Sequence, residues 1–353
     1  KIIMRILVVA PSWIGDLVMS QCLYKALKSQ YPDATLHVLA PKWCLDVLNR
    51  MPEVDRTILM PIGHGSFALK GRWALGRSLK LAHYDQAFIL PNSWKSALIP
   101  LFAGIKKRTG WKGESRYLLL NDLRTGKERF PLLVERYSAL AYPKKDMHDR
   151  NDLKTILRPQ LTVKPLPTAT LLFSKFNIVS TKAPLGLCPG AEFGPAKKWP
   201  PEFYAYVAQR YLENNSESEV WIFGSPKDVA TGEEVVSHIP EALKQRVRII
   251  AGKTTIEEAI DLLSACKLVI CNDSGLMHIA AAVGTHLAAV FGSTSTRYTP
   301  PQTDDALIIE SEEPCHPCFK RECRFGTFAC LKHIKPELVW TKLQEKWPDL
   351  CSK

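Results

Sequence analysis

The sequence predicts an α/β protein made of two doubly wound domains, each with a parallel sheet between helices. Its 353 residues exceed one ordinary hydrophobic core and suit two domains of about 150 residues. Short apolar runs alternate with amphipathic stretches, which is the βαβα order of a parallel sheet. The alternation stops in a proline-containing segment and then starts again, which indicates a second sheet.

The first half carries the elements of the first sheet. The run RILVVAP predicts a strand that leads into the helix LVMSQCLYKALKSQY; further strands are predicted at TLHVLA, RTILMP and QAFILP, and helices at KWCLDVLNRM and SWKSALIPLFAG. We place this domain at residues 1–160. The linker is predicted at residues 150–167, which contain Pro159, Pro165 and Pro167 and show little periodicity.

The second half repeats the plan. Strands with their turns are predicted at PLGLCPGAE, EVWIFGSPKD, VRIIAG, KLVICNDSG and HLAAVFGST, and helices at PPEFYAYVAQRYLENN, TIEEAIDLLSAC and LMHIAAAVG. We place this domain at residues 161–335 and a closing helix at 336–353, with Pro336 in its first turn. Two such domains that face each other bind ligands at the carboxyl ends of their strands, so chemistry is expected in the loops after strands.

Composition and charge narrow the class of protein. A hydrophobic content of 46% and a charged content of 23% are typical of a soluble globular chain. No stretch approaches the roughly 18 apolar residues of a membrane span, and the first apolar run meets Pro11 instead of a cleavable signal, so we expect a cytoplasmic protein. Residues 1–150 hold 24 Lys and Arg against 12 Asp and Glu, and therefore the whole net charge of +12. A basic domain attracts nucleic acid, anionic lipid or a phosphorylated substrate.

Three polar turns of the second domain suit a nucleotide diphosphate. Asp273, Ser274 and Gly275 follow an apolar strand and open a helix, where free N–H groups bind anions, although a plain helix cap explains them as well. Lys197 stands before another helix and suits a phosphate, or is simply solvated. Asp228 ends a third strand and could accept from ribose hydroxyls or cap a helix.

The matching turn of the first domain is PSWIGD, whose carboxylate is Asp16. It could be an N-cap of a helix beginning at Leu17. Opposite a diphosphate it could instead remove a proton from an attacking hydroxyl.

These stretches resemble the lipopolysaccharide heptosyltransferases of glycosyltransferase family 9. PSWIGDLVMSQCLYKALK, PGAEFGPAKKWP and NDSGLMHIAAA carry the resemblance, and MPEVDRTILMP, PNSWKSAL and FAGIKKRTGW extend it over most of the chain. It implies the GT-B architecture, in which the first of two Rossmann-like domains binds the acceptor and the second binds the nucleotide sugar. The implied reaction is inverting transfer of L-glycero-D-manno-heptose from ADP-heptose to the first heptose of the inner core, on the acceptor heptosyl-Kdo2-lipid A.

The resemblance also assigns residues. Asp16 matches the catalytic base and Lys197 matches the lysine that holds the donor phosphates. Other donor-binding candidates by resemblance are Asp228, Thr254, Asp273, Ser274, Gly275, Leu276 and His278. Glu192 and Phe193 stand where first-heptose transferases carry hydroxyl residues, so phosphate contacts from that turn must come from backbone N–H groups.

The charge asymmetry fits an anionic acceptor. The inner core and lipid A are polyanionic and lie at the cytoplasmic face of the inner membrane, so a basic acceptor domain in peripheral contact with that membrane is expected. No nucleic-acid partner is expected. Candidates for the acceptor contact are Trp13, Lys95, Arg108, Lys112, Arg116 and Arg124.

No metal or cofactor is expected to be required, because the chain contains no Asp-x-Asp pair to chelate a metal on a diphosphate; Mg²⁺ could still assist product release. Cys315, Cys318, Cys323 and Cys330 have the spacing C-x2-C-x4-C-x6-C, which could serve zinc or an iron–sulfur cluster. Reduced thiols or a disulfide formed on handling are the alternatives. The six other cysteines are expected to be core residues.

Rival functions fit the sequence less well. The turn GHGSFA resembles a dinucleotide loop, but it follows the third strand and lacks the acidic partner of a dehydrogenase. The dispersed basic residues accompany no nucleic-acid-binding motif. A transferase for another core position, or a GT-B nucleotide-sugar epimerase, remains open.

Overall fold

The computed structural model describes residues 3–61, 68–114, 116–192 and 194–351, without the side chain of Cys351. The chain divides into two compact units. The first runs to Thr162 and also takes Arg297–Thr299, and the second comprises Val163–Thr296 and the chain from Pro300 onward. No pattern in the sequence indicates that Arg297–Thr299 belongs to the first unit.

The first unit contains a parallel sheet of six strands in the order β3-β2-β1-β4-β5-β6. The order reverses between β1 and β4, which makes the sheet doubly wound. The central strands are almost continuously buried and apolar, as expected of parallel strands covered on both faces. The strands are β1 Arg5–Val9, β2 Thr35–Ala40, β3 Arg56–Leu59, β4 Gln86–Ile89, β5 Lys107–Trp111 and β6 Asp122–Arg124.

The first helix begins earlier than the sequence predicts. Helix α1 starts at Ile14, and Trp13 takes the N-cap position without a side-chain hydrogen bond. The prediction that the helix begins at Leu17 is therefore wrong, and Asp16 lies inside the first turn, where the helix dipole favours a negative charge. The helices of this unit are α1 Ile14–Gln30, α2 Leu45–Leu48, α3 Leu69–Leu79, α4 Trp94–Phe102 and α5 Leu133–Ala139.

The second unit repeats the topology with the order β12-β11-β10-β7-β8-β9. Here the reversal lies between β7 and β10. Two doubly wound parallel sheets are the fold class that the sequence predicts, which is thereby confirmed. The strands are β7 Leu185–Cys188, β8 Val220–Ile222, β9 Val247–Ile249, β10 Leu268–Asn272, β11 His286–Phe291 and β12 Ala306–Glu310.

Helices on both faces complete the second unit. Helix α13 begins with Pro336 and buries Val339 and Leu343 in the core of this unit, together with Tyr204 and Tyr211 of α7. Among the described residues, no helix combines the length and the apolarity that crossing a membrane requires. The helices are α6 Ala169–Phe176, α7 Pro201–Asn214, α8 Val229–Ser237, α9 Glu241–Lys244, α10 Ile256–Ala265, α11 Gly275–Ala282, α12 Ala329–Lys332, α13 Pro336–Lys346 and α14 Pro348–Cys351.

Candidate functional site

The first unit has a cavity of about 330 Å³ at the reversal of its sheet. Residues after β1 and after β4 line it, as expected where the strand order reverses. Its volume lies in the range of ligand pockets. We call it the Asp16 cavity; its lining is Pro11, Ser12, Trp13, Asp16, Leu90, Pro91, Asn92, Ser93, Trp111, Lys127, Leu133, Arg136, Tyr137 and Tyr298.

Asp16 is the one carboxylate among the described lining residues of this cavity. Burial raises the pKa of Tyr137 well above its ordinary value, and the nearby carboxylate of Asp16 raises it further. The pKa of Tyr298 is raised mainly by burial, with Arg136 opposing and Asp16 adding to the shift. Asp16 thus lies beside two phenols that stay protonated at neutral pH, in the wall of a cavity that can admit a ligand hydroxyl.

Two cations line the same cavity, and sequence reasoning missed both. Lys127 Nζ donates to Asn92 Oδ1 at 3.0 Å, and the Arg136 guanidinium lies 4.9 Å from the ring centroid of Tyr298. Burial lowers the pKa of Lys127, and Arg136 and Arg116 lower it further, which indicates a positive local potential. The only sequence signal for these residues was the basic excess of the first half. Cations and aromatic rings around one carboxylate suit an anionic sugar.

The structure corrects the prediction for two of the acceptor-contact candidates. Arg116 is 1% exposed; its Nη1 donates to the Pro91 carbonyl at 2.5 Å and its Nη2 to the Trp111 carbonyl. Burial lowers its pKa to about 10. Arg124 is also buried, pairs with Asp122 and donates to two further carbonyls. Since both guanidinium groups are buried and donate to carbonyls of their own unit, these residues stabilise loops instead of presenting charge at the surface.

The other acceptor-contact candidates differ in position. Arg108 donates to the carbonyls of Ile105 and Leu119, both at 2.7 Å, so it too has a structural role. Lys95 lies in the first turn of α4, and exposed Lys112 lies over the Tyr117 ring at 5.3 Å. Of the six candidates, only Trp13 lines the Asp16 cavity, with 55% of its surface exposed.

In the second unit, Asn272 ties together the loops at the reversal of the sheet. It is the last residue of β10 and is fully buried. Its Nδ2 donates to the carbonyls of Pro189 and Gly190 at 2.8 and 3.2 Å, in the turn after β7. Its Oδ1 accepts from Trp199 N at 3.0 Å and Tyr204 Oη at 2.6 Å. The sequence placed this residue in a polar turn but assigned it no role.

Lys197 is held at the start of α11 by Asp273. Lys197 Nζ lies 3.2 Å from Asp273 Oδ2, which also accepts from Thr294 Oγ1 at 2.6 Å. Asp273 is 5% exposed, so the ion pair is shielded from bulk solvent and orients the lysine. The sequence predicted both residues for one phosphate site, and the structure brings them together.

The start of α11 leaves buried polar atoms without hydrogen-bond partners. Ser274 is the N-cap of this helix, with extended backbone, and Gly275 begins it; Leu276 follows half-buried. Ser274 Oγ, His278 Nδ1 and Ser293 Oγ are buried and unpaired among the described residues. Burial lowers the pKa of His278 to about 4, against the pull of Asp273, so its imidazole is neutral at pH 7. Unpaired buried polar atoms beside a helix N-terminus are suited to a polar, anionic ligand.

Asp228 makes the capping contact that was one of its two predicted roles. Its Oδ2 accepts from Ser225 N at 2.9 Å and Ser225 Oγ at 3.1 Å. The carboxylate also packs so closely on Gly190 that any side chain at position 190 would collide with it. This places Asp228 at the turn after β7, next to the loop that Asn272 anchors.

The remaining donor candidates lie in turns of the second unit. Thr254 is half-buried just before α10, and Glu192 is exposed in the turn after β7. Phe193 lies outside the described residues, as do residues 63–67 of the GHGSFA turn.

The four clustered cysteines are not arranged as a metal centre. Within the described ranges, no three or more His, Cys, Asp or Glu side chains are placed to hold an ion. Phe328 N donates to Cys323 Sγ at 3.4 Å and is the main reason that the pKa of this thiol falls to about 7. Burial, with the three neighbouring cysteines, raises the pKa of Cys330 to about 11. The predicted core cysteines Cys22, Cys44, Cys188, Cys266 and Cys271 are buried.

Comparison with known proteins finds relatives that match both units of the chain. The model of glycosyltransferase family 9 (heptosyltransferase) matches residues 72–329. Lipooligosaccharide heptosyltransferase 2 of Haemophilus influenzae is 48% identical over 97% of this chain and 99% of its own length. Lipopolysaccharide heptosyltransferase 2 of Salmonella typhimurium is 46% identical over 96% and 97%. By contrast, lipopolysaccharide heptosyltransferase 3 of Escherichia coli is 22% identical over 83% of this chain and 84% of its own length.

Comparison with solved structures points to the same family as the sequence comparison. The E. coli ADP-heptose lipopolysaccharide heptosyltransferase II superimposes with a TM-score of 0.85 at 42% identity, covering 99% of this chain and 98% of that one. A family 9 glycosyltransferase of Veillonella parvula superimposes with a TM-score of 0.82 at 18% identity, which shows the shared fold alone.

Proposed function

This chain belongs to glycosyltransferase family 9, the heptosyltransferases, and from that membership we propose that it transfers L-glycero-D-manno-heptose from ADP-heptose to the first heptose of the lipopolysaccharide inner core. The observation that carries the proposal is the nearly full-length identity of 46 to 48% with heptosyltransferases 2 of two species. The lower identity of 22% with a heptosyltransferase 3 argues against a different core position.

The first unit supplies the acceptor site in this proposal. The aromatic rings of Trp13 and Trp111 offer faces for a sugar, and Lys127 and Arg136 offer charge for its anionic neighbours. Asp16 is the base: it takes the proton of the acceptor hydroxyl as that oxygen attacks C1 of the donor heptose. Such proton transfer contributes roughly 100- to 10,000-fold to a rate.

The second unit supplies the donor site. The C1–O bond to the diphosphate breaks as the new bond forms, and ADP leaves with the electron pair, so the anomeric carbon inverts in one displacement. Lys197 and the N–H groups at Ser274 and Gly275 are the donors for the charge that grows on the leaving phosphate. Donors of this kind are worth about 3 kcal/mol each. Asp228 and Thr254 are the proposed neighbours of the nucleoside.

We expect no metal requirement. The chain has no Asp-x-Asp pair, and Lys197 with the α11 N-terminus offers positive charge where a metal would otherwise sit. Activity should persist in a chelator, with Mg²⁺ at most assisting release of ADP.

The proposed location follows from the acceptor. Heptosyl-Kdo2-lipid A is anchored in the inner membrane, so the enzyme works in the cytoplasm with its basic first unit at the membrane surface. The excess of 24 basic over 12 acidic residues in residues 1–150 supports this orientation.

The test is a transfer assay on lipopolysaccharide precursors that bear zero, one or two heptoses, read by mass spectrometry. We expect addition of one heptose to the one-heptose precursor only. Addition to either other precursor would overturn the acceptor assignment. Conversion of ADP-heptose to an isomer without any acceptor would identify an epimerase instead.

A further inference from the structure

A second cavity of the first unit has a strongly basic lining. It measures about 470 Å³, and its lining includes Arg124, Arg129, Lys144 and Lys145, together with His148. We call it the basic cavity. Arg129, Lys144, Lys145 and His148 are exposed, and the described lining contains no carboxylate. Basic side chains grouped on one exposed surface create a positive potential that attracts an anion.

The basic cavity adjoins the Asp16 cavity through one side chain. Trp111 lines both cavities. It is 7% exposed, its Nε1 donates to the Arg136 carbonyl at 2.9 Å, and its ring lies 5.6 Å from that of Phe130. This firmly held ring is a wall common to both cavities, which places the basic cavity next to the Asp16 cavity.

One short turn supplies a cation to each cavity. The 3-10 helix Lys127–Arg129 carries Lys127, which lines the Asp16 cavity, and Arg129, which lines the basic cavity. Gly126 precedes the turn with φ +82°, and a side chain there would collide with the Arg129 guanidinium. Lys127 and Arg129, two residues apart on this turn, therefore line two adjacent cavities.

We propose that the basic cavity binds a carboxylate of the acidic Kdo sugar that carries the acceptor heptose. The inference rests on the proposed function, because it takes the heptose to occupy the Asp16 cavity. Kdo is bonded directly to that heptose, and it is therefore the group that meets the neighbouring cavity, whereas the phosphates of lipid A lie farther along the acceptor. Arg129 has the planar fork that pairs with a carboxylate, and Lys144 and Lys145 add compact charges.

Arg124 supports the cavity instead of binding the ligand. Its donors are used by Asp122 at 3.1 Å and by the carbonyls of Ala139 and Tyr142 at 3.2 and 2.8 Å. The exposed trio Arg129, Lys144 and Lys145 is therefore the part to alter.

The test compares two triple variants with equal loss of charge. R129Q/K144Q/K145Q removes the cavity trio, and K70Q/K80Q/K106Q removes three exposed lysines of the same unit that line neither cavity. With heptosyl-Kdo2-lipid A, we expect the cavity variant to raise the KM for acceptor about tenfold or more, with unchanged kcat and unchanged KM for ADP-heptose. The control should match the wild type. Equal circular dichroism and melting curves establish that both variants fold.

A modified acceptor identifies the anion. When the Kdo carboxylates are reduced to alcohols, the wild type should fall to the level of the cavity variant, which should itself change little. Equal KM values for the cavity variant and its control would overturn the proposal. So would a defect that survives carboxyl reduction and disappears when lipid A is dephosphorylated, because the phosphates would then be the ligand.

If the proposed function itself is wrong, the transfer assay gives a different result from the one expected when only the basic-cavity proposal fails. In that case the wild type transfers no heptose to this acceptor. Calorimetric titration with the free Kdo disaccharide then tests the basic cavity alone. Weaker binding by the cavity variant than by its control would support the proposed site. Equal binding by the two variants would show that the basic cavity is not the binding site.

Discussion

The two units share one topology and differ in the chemistry at its reversal point. Between β1 and β4 the first unit places an open cavity with one carboxylate among cations and aromatic rings. Between β7 and β10 the second unit places a buried polar network that ends at a helix N-terminus. The sheet decides where the loops converge. Under the proposed function, the loop side chains decide whether the ligand there is a sugar with a reacting hydroxyl or a phosphate.

In each unit, one buried polar side chain, which we call the brace, holds loops in place by donating hydrogen bonds to their backbone carbonyls. Arg116 donates to the carbonyl of Pro91 after β4, and Asn272 donates to those of Pro189 and Gly190 after β7. Burial lowers the pKa of Arg116 because the charged form loses hydration, a cost that a neutral amide avoids. We therefore expect Asn272 to contribute more net stability to the second unit than Arg116 contributes to the first.

The largest expected effect tests the first unit as the source of the base. Asp16→Asn should lower kcat by roughly 100- to 10,000-fold, because the amide cannot accept the acceptor proton. Steady-state transfer of heptose measures it. Asp46→Asn is the matched control, since it removes an acidic residue from the first turn of α2. A near-normal kcat in the D16N enzyme would show that Asp16 is not the catalytic base.

The next effect tests the second unit as the phosphate site. Lys197→Ala should lower kcat about a hundredfold, because the leaving diphosphate loses one positive donor. The melting temperature should also fall by a few degrees, because buried Asp273 loses its cation and keeps only the bond from Thr294. Lys198→Ala, one residue along the chain, is the control. If K197A lowered the melting temperature but left kcat unchanged, the lysine would have only a structural role.

The two braces should differ in stability when removed. Asn272→Ala leaves two carbonyls and two donors without their buried partner and should lower the free energy of unfolding by about 3 kcal/mol. Arg116→Met should cost only about 1 kcal/mol, because it also removes a buried charge. Urea unfolding followed by circular dichroism gives both values. Equal losses in the free energy of unfolding would show that burying the charge of Arg116 does not reduce the stability of the first unit.

The last effect concerns pH and is spread over more than two pH units. The pKa of His278 is about 4 in the folded protein, below the ordinary 6.5, because burial favours the neutral ring. Its contribution to stability is therefore complete above pH 6.5 and is lost as the pH falls toward 4, at about 1 kcal/mol per pH unit.

Unfolding measured between pH 7 and 5 should show this slope in the wild type. His278→Gln should flatten it, whereas His238→Gln, at an exposed histidine, should not. A slope that is unchanged in the H278Q variant would mean that another group titrates in this window.

Local patterns were enough to predict nine of the twelve strands in the described residues, but not β5, β6 or β12, and to predict the polar turn that opens α11. The apolar runs of β1 and β10 and the Asp273–Gly275 start of α11 are encoded by contiguous residues, so their structure follows from propensity and capping. The start of α1 was missed because Trp13 caps it without any side-chain hydrogen bond, which leaves no signal in the sequence.

The fold class, the family and the turns where strands meet helices follow from the sequence alone, since each depends on residues close together in the chain. Which basic residues are interior was decided only by tertiary packing. Arg116 and Arg124 turn inward because carbonyls of distant loops accept their donors, while Lys127 and Arg136 line the Asp16 cavity. Tyr298 reaches that cavity because the Leu133 N–H donates to its carbonyl at 3.0 Å, a contact between segments that no local pattern connects.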